Sequence, residues 1–513
     1  MSPIAEGPIV KGIAGAVSTL FVVALSTCGP GTHPPSGGGD RTRPPIGVGI
    51  VAPGGGAGCQ RWVAPPPGGS DENPGTGSEP WATLEHAATA VPDRGCTVWF
   101  EDGTYRGGQE VERRFDRRTV FRAVDPYRPE LLGGRTVLAV NGAMNVVFSG
   151  FRFRQNGPSA SGVLVYVSEG DGRFAQRITF QDNIFQDAYE NDLLKLHDGT
   201  RHAIVRSNVF YNQGDGEEHI DVNSVGHVLI QDNLFFNDFG RSGRPDSAPT
   251  QHHFITVKDS GGNSDGSLGS RHVAIRRNVF LNWEGASSEG FVNVGNDGKA
   301  YYEALHVRIE NNLMVGNARN DMDSPLSVAG AKDVAFVNNT IVGDLPTRAY
   351  AFRAYIKGSN PVNRDIVLSN NIWSDPTGTM GEDASGDDGQ FSAGDPGATV
   401  GLKLDNNLYW NAGAAIPGGD VASPGTDDHH PVVGDPGMSA DQDAVVVPYW
   451  TGSSFLSGGQ SIRSEFERLV RELASIPADS PAIGRSVRSL APADDILGGP
   501  RDASPDLGAF EAA

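Results

Sequence analysis

Six short segments of the sequence place one polar or charged residue between two apolar residues. In chain order, the central residues are Lys195, Asp221, Thr256, Asn293, Ser327 and Arg353. Successive side chains of a β-strand point to opposite faces, so the apolar pairs predict a buried face and the central residues an exposed one. Stacked as parallel strands about 4.8 Å apart, the central residues form one outward column.

A second outward column is predicted from the residue that follows each apolar pair. Its members are His197, Asn223, Lys258, Gly295, Ala329 and Tyr355. Because neighbouring strands are so close, the two columns together predict one shared patch. The patch consists of Lys195, His197, Asp221, Asn223 and Lys258.

This patch has the groups that eliminative cleavage of a uronic-acid chain requires. The reaction neutralises the sugar carboxylate, removes the proton alpha to it and protonates the leaving oxygen. Lys258 or Lys195, with a pKa lowered by neighbouring cations, is the predicted base. His197 is a candidate acid or orienting group. His219 is another, since strand alternation predicts that it points outward beside Asp221.

Acidic residues on and around the patch predict a calcium site. Calcium takes oxygen ligands, and a bound ion would bridge to the substrate carboxylate. The candidate ligands are Asp192, Asp215, Glu217, Glu218 and Asp221. The alternative is purely structural: Lys195 and Asp221 form a cross-strand ion pair, and the loop acids are solvated.

Further residues are predicted to contact substrate. A long loop between Asn233 and Asn278 carries basic side chains, and long loops commonly wall a binding cleft. With the two columns it gives the candidate substrate-binding residues Asn223, Asn293, Arg353, Arg241 and Arg244. A hydrolase would instead need two close carboxylates. The columns supply only Asp221 unless the loops add a second.

The strands that position these residues belong to a repeat. Phrases such as "ITFQDNIF", "AIVRSNVF" and "VLIQDNLF" recur, and Asn183, Asn208 and Asn233 are 25 residues apart. Their apolar residues alternate with period two, which excludes helical repeats. We therefore predict an all-β, single-stranded right-handed parallel β-helix. Stacked Asn side chains are expected to hydrogen-bond the bends and to serve the scaffold rather than a metal.

The two ends of the chain have different compositions. Residues 1–28, with Lys11, an apolar run and Cys28, predict an export segment. Residues 29–74 are rich in Pro, Gly and Ser and predict a disordered tether. The β-helix domain is predicted over 75–513, with an N-terminal cap containing a helix (75–117) and an extension containing an amphipathic helix (411–513).

Composition and cysteine content set limits on the partners and the compartment. The net charge of −21 argues against nucleic acid, because phosphate binding needs a basic footprint. Cys59 and Cys96 form a disulfide in an exported protein or remain free thiols. We expect a monomer that is exported to the cell envelope or the extracellular space.

Two resemblances add to these predictions. Leu25-Ser26-Thr27-Cys28 resembles a bacterial lipobox, which implies a lipid anchor at Cys28, although Thr27 departs from that pattern. The opening "NPGTGSEPWATLEHAATAV", the phrases ending in Asn-x-Phe and the closing "SPAIG…PDLGAFE" resemble the pectate-lyase-like superfamily of right-handed parallel β-helix proteins.

The superfamily resemblance implies a function as well as a fold. Its members include lyases, hydrolases, esterases, epimerases and binding proteins, and many act on acidic polysaccharides with calcium and a Lys or Arg base. The predicted function is therefore an exported, calcium-assisted polysaccharide lyase acting on a uronate-containing glycan. The alternatives are a non-catalytic glycan-binding or envelope protein, and a glycoside hydrolase on the same fold.

Overall fold

A computed structural model describes residues 58–244, 250–317, 320–343, 350–381, 389–439, 442 and 444–512. The predicted export segment, Cys28 and the first part of the predicted tether lie outside the described residues. Within the described residues, none of the helices combines the length and the apolar character that a membrane crossing needs.

The chain coils through three parallel sheets in turn. The first sheet contains β1 (Gln60–Val63), β2 (Thr97–Phe100), β5 (Arg114–Ala123), β8 (Met144–Ser149), β11 (Gln176–Gln181), β14 (Ile204–Arg206), β17 (Gly226–Gln231), β20 (Ser270–Arg276), β23 (Ala304–Glu310), β26 (Ala331–Val337), β29 (Asn363–Ser369), β32 (Thr399–Val400) and β33 (Lys403–Asp405). The second contains β3 (Gly103–Arg106), β6 (Pro129–Gly133), β9 (Arg152–Gln155), β12 (Ile184–Gln186), β15 (Val209–Tyr211), β18 (Leu234–Phe236), β21 (Val279–Phe280), β24 (Leu313–Gly316), β27 (Thr340–Gly343), β30 (Ile372–Asp375), β34 (Leu408–Asn411) and β35 (Val432–Val433).

The third sheet carries the predicted patch. It contains β4 (Gln109–Val111), β7 (Leu138–Asn141), β10 (Val165–Ser168), β13 (Leu194–Leu196), β16 (Ile220–Asn223), β19 (Ile255–Lys258), β22 (Val292–Gly295), β25 (Leu326–Ala329), β28 (Phe352–Ala354) and β31 (Ser392–Gly394). Within each sheet, a strand pairs in parallel with the strand one coil earlier and the strand one coil later, apart from the strands at the ends. This arrangement is a parallel β-helix, as predicted.

The register of the third sheet confirms the first outward column. Lys195 pairs with Asp221, Asp221 with Thr256, and Thr256 with Asn293. The column continues through Ser327 to Arg353. The flanking aliphatic residues are buried in the core, which fixes the alternation. In the second column, Asn223 pairs with Lys258 as predicted.

The Asn residues at the bend form a buried hydrogen-bonded ladder. In each step the Oδ1 atom of one Asn accepts from the backbone N–H and from Nδ2 of the Asn one coil earlier, as between Asn233 and Asn208 at 2.9 and 3.1 Å. Each Nδ2 also donates to a carbonyl, for example Asn233 to that of Val205 at 3.0 Å. The ladder ends where Asn407 donates to Asp428. The scaffold interpretation is confirmed.

This ladder predicts a large stability loss from a change in its middle. Asn233→Ala removes side-chain bonds to both neighbouring coils and leaves buried donors and acceptors unpaired, so we expect the free energy of unfolding to fall by about 3 kcal/mol. Denaturant unfolding measures this, with the exposed Asn156→Ala as the control. A loss as small as that of the control would contradict the role of the ladder.

The folded domain begins earlier than the sequence indicated. Strand β1 pairs with β2, and Cys59 is disulfide-bonded to Cys96. Residues 58–74 therefore belong to the first coil, and their assignment to a disordered tether is wrong because a strand pairing and a covalent bond tie them to it. Helix α1 (Leu84–Ala90), capped by the Thr83 side chain, buries Leu84, Ala87 and Ala88 in the end of the core.

The C-terminal extension folds back onto the outer face of the second sheet. Helix α3 (Ile462–Leu473) buries one apolar stripe against Leu234, Val279 and neighbouring strand residues. Arg277 donates to both Asp232 and Asp494 and so ties the extension to the first sheet. The short helices η1 (Gly262–Asp265) and α2 (Pro424–Asp427) lie in loops between strands.

Candidate active site on the third sheet

Three carboxylates and two lysines meet on the outer face of the third sheet. Asp221 Oδ2 lies 2.5 Å from Lys195 Nζ and 3.8 Å from Lys258 Nζ. Lys195 Nζ is also 3.3 Å from Asp192 Oδ2, and Lys258 Nζ is 3.7 Å from Glu218 Oε1. We call these five residues the carboxylate–lysine cluster.

The turns before β13 and β16 bring Asp192 and Glu218 to this face. Each residue stands two positions before its strand, so the two are equivalent on successive coils. The Glu218 backbone N–H donates to Asp192 Oδ1 at 3.0 Å. This bond holds the Asp192 carboxylate against the turn that precedes β16. The prediction that loop acids complete the patch placed these two residues correctly.

The electrostatics of the cluster follow from its burial. Asp192, Glu218 and Asp221 are all buried. Burial, with Glu218 and Asp221 nearby, raises the pKa of Asp192 well above its ordinary value. Burial is also the main cause that raises the pKa of Glu218 to about 7. Both groups therefore hold protons more readily than solvated carboxylates do.

The lysines depart from the predicted direction. Burial alone would lower the pKa of Lys195, but Asp221 and Asp192 outweigh it and the pKa is raised. The pKa of Lys258 is raised in the same way by Glu218 and Asp221. The prediction of a lysine pKa lowered by cationic neighbours is wrong for this geometry, because Glu218 and Asp221 act on Lys258 more strongly than Lys195 does, and the charges that act on Lys195 are chiefly those of Asp221 and Asp192.

The donor set of the cluster fits a hard divalent cation. One oxygen from each of Asp192, Glu218 and Asp221 lies within 4.8 Å of the others. Glu218 Oε2 and Asp221 Oδ1 are buried and have no hydrogen-bond partner in the described structure. A buried carboxylate oxygen without a donor is costly, and calcium coordination would satisfy it. When all three are ionised, they exceed the two lysine charges by one negative charge.

Two of the five predicted calcium ligands lie outside this group. Asp215 Oδ1 accepts from Gln251 Nε2 at 3.0 Å, on the loop beside the cluster. Glu217 is half-buried, and burial followed by the charge of Asp192 raises its pKa to about 7. Neither carboxylate belongs to the group of three whose oxygens converge.

The remaining column residues have different environments. His197 Nδ1 lies 3.0 Å from the hydroxyl of Tyr166. Tyr166 occupies the first outward column one coil earlier than Lys195. Asn223 is buried and anchors a loop through three contacts to Ser260 and Ser224, so it is not free to bind substrate. Tyr166 was missed, although Val165 and Val167 flank it in the same alternating pattern.

The column continues away from the cluster through Asn293 and Arg353. Asn293 lies two coils from Asp221, and its Oδ1 is buried with no partner in the described structure. Arg353 Nη1 is 2.5 Å from Asp323 Oδ2, and its guanidinium lies 4.4 Å from the Tyr355 ring centre. Arg353 is partly exposed and so remains a candidate for contact with a polymer laid along the sheet, whereas the buried Asn293 does not.

Arg241 and Arg244 do not join the cluster. The Nε of Arg241 donates to Asp238 Oδ2 at 2.9 Å. Arg244 is held between the Tyr189 and Phe239 rings and donates to two backbone carbonyls. These contacts hold the start of the long loop in place. The predicted role of both arginines in substrate binding is therefore not supported by their positions.

His219 points into the core and not outward. Its ring stacks on Phe254 at 4.2 Å, and its Nε2 lies 3.0 Å from Asn237 Oδ1. Burial lowers its pKa to about 3. The outward prediction is wrong because the bend before each strand turns one more side chain inward. Leu193, Phe254 and Phe291 fill the same position on neighbouring coils, a pattern that the sequence does contain.

The burial of His219 predicts that this one residue makes the folded protein less stable in acid. The unfolded chain binds a proton at His219 near pH 6.5, whereas the folded protein does so only near pH 3, so stability falls as the pH decreases. The loss between pH 6.5 and pH 4 is about 3 kcal/mol. The stability of His219→Phe should not show this loss between pH 6.5 and pH 4. Asn237 Oδ1 would keep its bond from Asn212 N–H at 2.9 Å. Denaturant unfolding of both proteins across this range measures the difference, and parallel curves would contradict the assignment.

Comparison with known proteins identifies the class of fold. The chain is similar to the pectate lyase Pel9A, with a TM-score of 0.51 and 14% identity, over 90% of this chain and 98% of that one. It is also similar to XylC, solved with xylose (TM-score 0.47, 11% identity, 88% and 98% coverage), and to the PL6 family alginate lyase AlyGC (0.45, 13%, 83% and 60%). No protein-family model and no curated protein sequence matches it. The fold is thus a pectate-lyase-like parallel β-helix.

Proposed function

We propose that this protein is an exported polysaccharide lyase that cleaves an acidic, uronate-containing glycan by β-elimination with the help of calcium. The observation that carries the proposal is the carboxylate–lysine cluster on the outer face of the third sheet. It combines converging oxygen ligands, two unpartnered buried carboxylate oxygens and two amines. The Cys59–Cys96 disulfide supports export, because such bonds persist in oxidising compartments.

Asp192, Glu218 and Asp221 would hold the calcium ion. When bound, calcium would neutralise the uronate carboxylate and so acidify the adjacent C–H bond. When all three are ionised, as calcium binding requires, they carry one negative charge more than the two lysines offset and would repel an anionic sugar. The bound cation would remove this repulsion.

Lys258 is the better candidate for the base. Its Nζ is 3.7 and 3.8 Å from its carboxylate partners, whereas Lys195 makes contacts of 2.5 and 3.3 Å. Lys258 accepts a proton only once Glu218 and Asp221 no longer stabilise its ammonium form, and these are two of the proposed calcium ligands. Lys195 then serves mainly to balance charge.

The electron and proton movements are those of an elimination. The amine of Lys258 takes the proton alpha to the carboxylate, the C–H electrons form the C=C bond, and the glycosidic C–O bond breaks. A donor must then protonate the leaving oxygen. The hydrogen-bonded pair of Tyr166 and His197, which lie two coils and one coil from Asp221, can supply or relay that proton.

One observation favours a glycoside hydrolase as the second candidate. Glu218 has a pKa of about 7 and lies close to Asp221, so a protonated and an ionised carboxyl group could coexist there. Retaining hydrolases use such a pair at a spacing of about 5 Å. The loop acids thus supply the second carboxylate that the columns alone lack.

The products distinguish these candidates. We would incubate the protein with a panel of uronate polymers, with calcium or with a chelator, and follow ultraviolet absorbance and reducing ends in parallel. A lyase produces unsaturated, absorbing products only with calcium. A hydrolase produces reducing ends without absorbance. Binding without either product would identify a non-catalytic glycan-binding surface protein and would disprove the lyase proposal.

A further inference from the structure

Four histidines form a stacked column where the strands of the first sheet begin: His202 precedes β14, and the other three lie near the starts of β17, β20 and β23. The ring centres of His202 and His227 are 4.8 Å apart, those of His227 and His272 4.7 Å, and those of His272 and His306 4.9 Å. The planes of neighbouring rings differ by 10 to 16°. This histidine column lies outside the carboxylate–lysine cluster, and the repeat analysis did not predict it.

All four residues adopt the same left-handed backbone conformation. Their φ values are 57, 58, 55 and 56° in chain order. Asn145 on an earlier coil has φ of 60°, and Asp333, on the coil after His306, has φ of 56°. Asn and Asp tolerate this region best, so the turn has residue types that serve it without an imidazole. Backbone geometry therefore does not require histidine at four successive coils.

The column ends on a carboxylate. His272 lies opposite His306, and His306 opposite Asp333, because the residues on either side of each are paired in register. His306 Nδ1 is 2.6 Å from Asp333 Oδ2. The side chain of His306 is 45% exposed and that of Asp333 29%, so both reach solvent. Three consecutive coils thus present two imidazoles and one carboxylate side by side.

The chemistry of these donors is specific. Imidazole nitrogen binds borderline transition-metal ions such as Ni²⁺, Cu²⁺ and Zn²⁺ far better than it binds calcium. Among the described residues, the ring nitrogens of His202, His227 and His272 have no hydrogen-bonded protein partner. They are therefore available as lone-pair donors in their neutral form.

We propose that His272, His306 and Asp333 form a surface binding site for one divalent transition-metal ion, separate from the carboxylate–lysine cluster. Two imidazoles and one carboxylate leave at least one coordination position for water. An ion there would join three successive coils through ligands from β20, β23 and β26.

Binding requires all three side chains to rotate toward the ion, because His272 and Asp333 lie two strand spacings apart, about 9.6 Å, and their donor atoms do not converge within 4.8 Å in the described structure. The exposure of His306 and Asp333 allows this rotation. Two nitrogens bound to one ion at about 2.1 Å are about 3.4 Å apart, less than the 4.9 Å between the stacked ring centres. Rotation about the side-chain bonds closes this gap. The other end of the column is less suitable, because the charges of Arg177 and Arg201 act on His202. The carboxylate end is therefore the favoured site.

The test is a titration of the untagged full chain with Ni²⁺ and Cu²⁺ in excess calcium, which occupies hard oxygen sites. Calorimetry gives the stoichiometry and Kd, and the electron paramagnetic resonance spectrum of bound Cu²⁺ shows coupling to ligand nitrogen. His306→Asn and Asp333→Asn should each weaken binding at least tenfold. Asn is the matched replacement, because Asn145 already occupies the equivalent turn.

His202→Asn is the internal control, since it removes a stacked imidazole at the opposite end of the column. We expect it to leave Kd unchanged within twofold, and a metal-dependent rise in Tm should persist in it but not in His306→Asn. The proposal is overturned if His306→Asn binds as tightly as the natural chain, if His202→Asn weakens binding equally, or if bound Cu²⁺ shows no nitrogen coupling. None of these outcomes depends on glycan cleavage.

Discussion

Lys258→Met is expected to lower kcat/KM for uronate cleavage by about a thousandfold, the usual contribution of a positioned general base. Methionine keeps much of the apolar stem but removes the amine. The folded state should change little, because the contacts of Lys258 to Glu218 and Asp221 are 3.7 and 3.8 Å long. Initial rates of ultraviolet absorbance measure the effect, and thermal unfolding checks the fold.

Two further variants separate a base from a simple positive charge. Lys258→Arg keeps the charge, but a guanidinium has a much higher pKa than an amine, so the variant should lose most of the activity and its rate should rise more steeply with pH. Lys195→Met should instead cost stability, since it removes the 2.5 Å partner of buried Asp221. Near-natural activity in Lys258→Met would show that Lys258 is not the base, and the base would then have to be sought elsewhere.

The outward column could be predicted from the sequence because each polar residue stands between two residues that must be buried. A slip by one residue would expose both aliphatic side chains of a strand, for example Leu194 and Leu196, so the core fixes the register. The same reasoning identified the Asn ladder, whose members recur with the coil. Local alternation was sufficient wherever a strand was long enough to show it.

Alternation failed at the bends. The prediction for His219 extended the strand pattern by one residue into a turn, where the direction of a side chain depends on the backbone bend and not on parity. Comparison with Phe254 and Phe291 on later coils shows that this position faces inward. The directions of the lysine pKa shifts also needed the structure, because they depend on distances between residues of different coils.

The cluster differs from the predicted patch in its membership and in the pKa of its lysines. The sequence predicted calcium ligands beside a lysine whose pKa neighbouring cations lower, whereas carboxylates raise the pKa of both lysines. The structure has three buried carboxylates whose negative charge two lysines offset only in part when all three are ionised, so an anionic sugar needs a cation as an intermediary. Calcium dependence is consequently the property on which the proposed lyase function most depends.

Asp221→Asn is expected to remove calcium binding. Asp221 is the only residue of the cluster that contacts both lysines, and it contributes one of the unpartnered buried oxygens. In the natural chain, calcium at a hundred times its Kd should stabilise the fold by about 2.7 kcal/mol, measured as a rise in Tm. The variant should show no such rise. Asp215→Asn, whose carboxylate lies outside the converging group, should respond like the natural chain.

The pH dependence of this binding has a definite sign. The pKa of Glu218, raised to about 7, keeps this residue partly protonated near neutral pH without calcium, and burial raises the pKa of Asp192 in the same direction. Because calcium binds the ionised form, it must displace these protons, so affinity should increase from pH 6 to pH 8. Calorimetry in buffers with different ionisation enthalpies should detect the release, and Glu218→Gln should reduce it. Equal affinity at both pH values, or equal loss in Asp215→Asn and Asp221→Asn, would show that calcium binds outside the cluster.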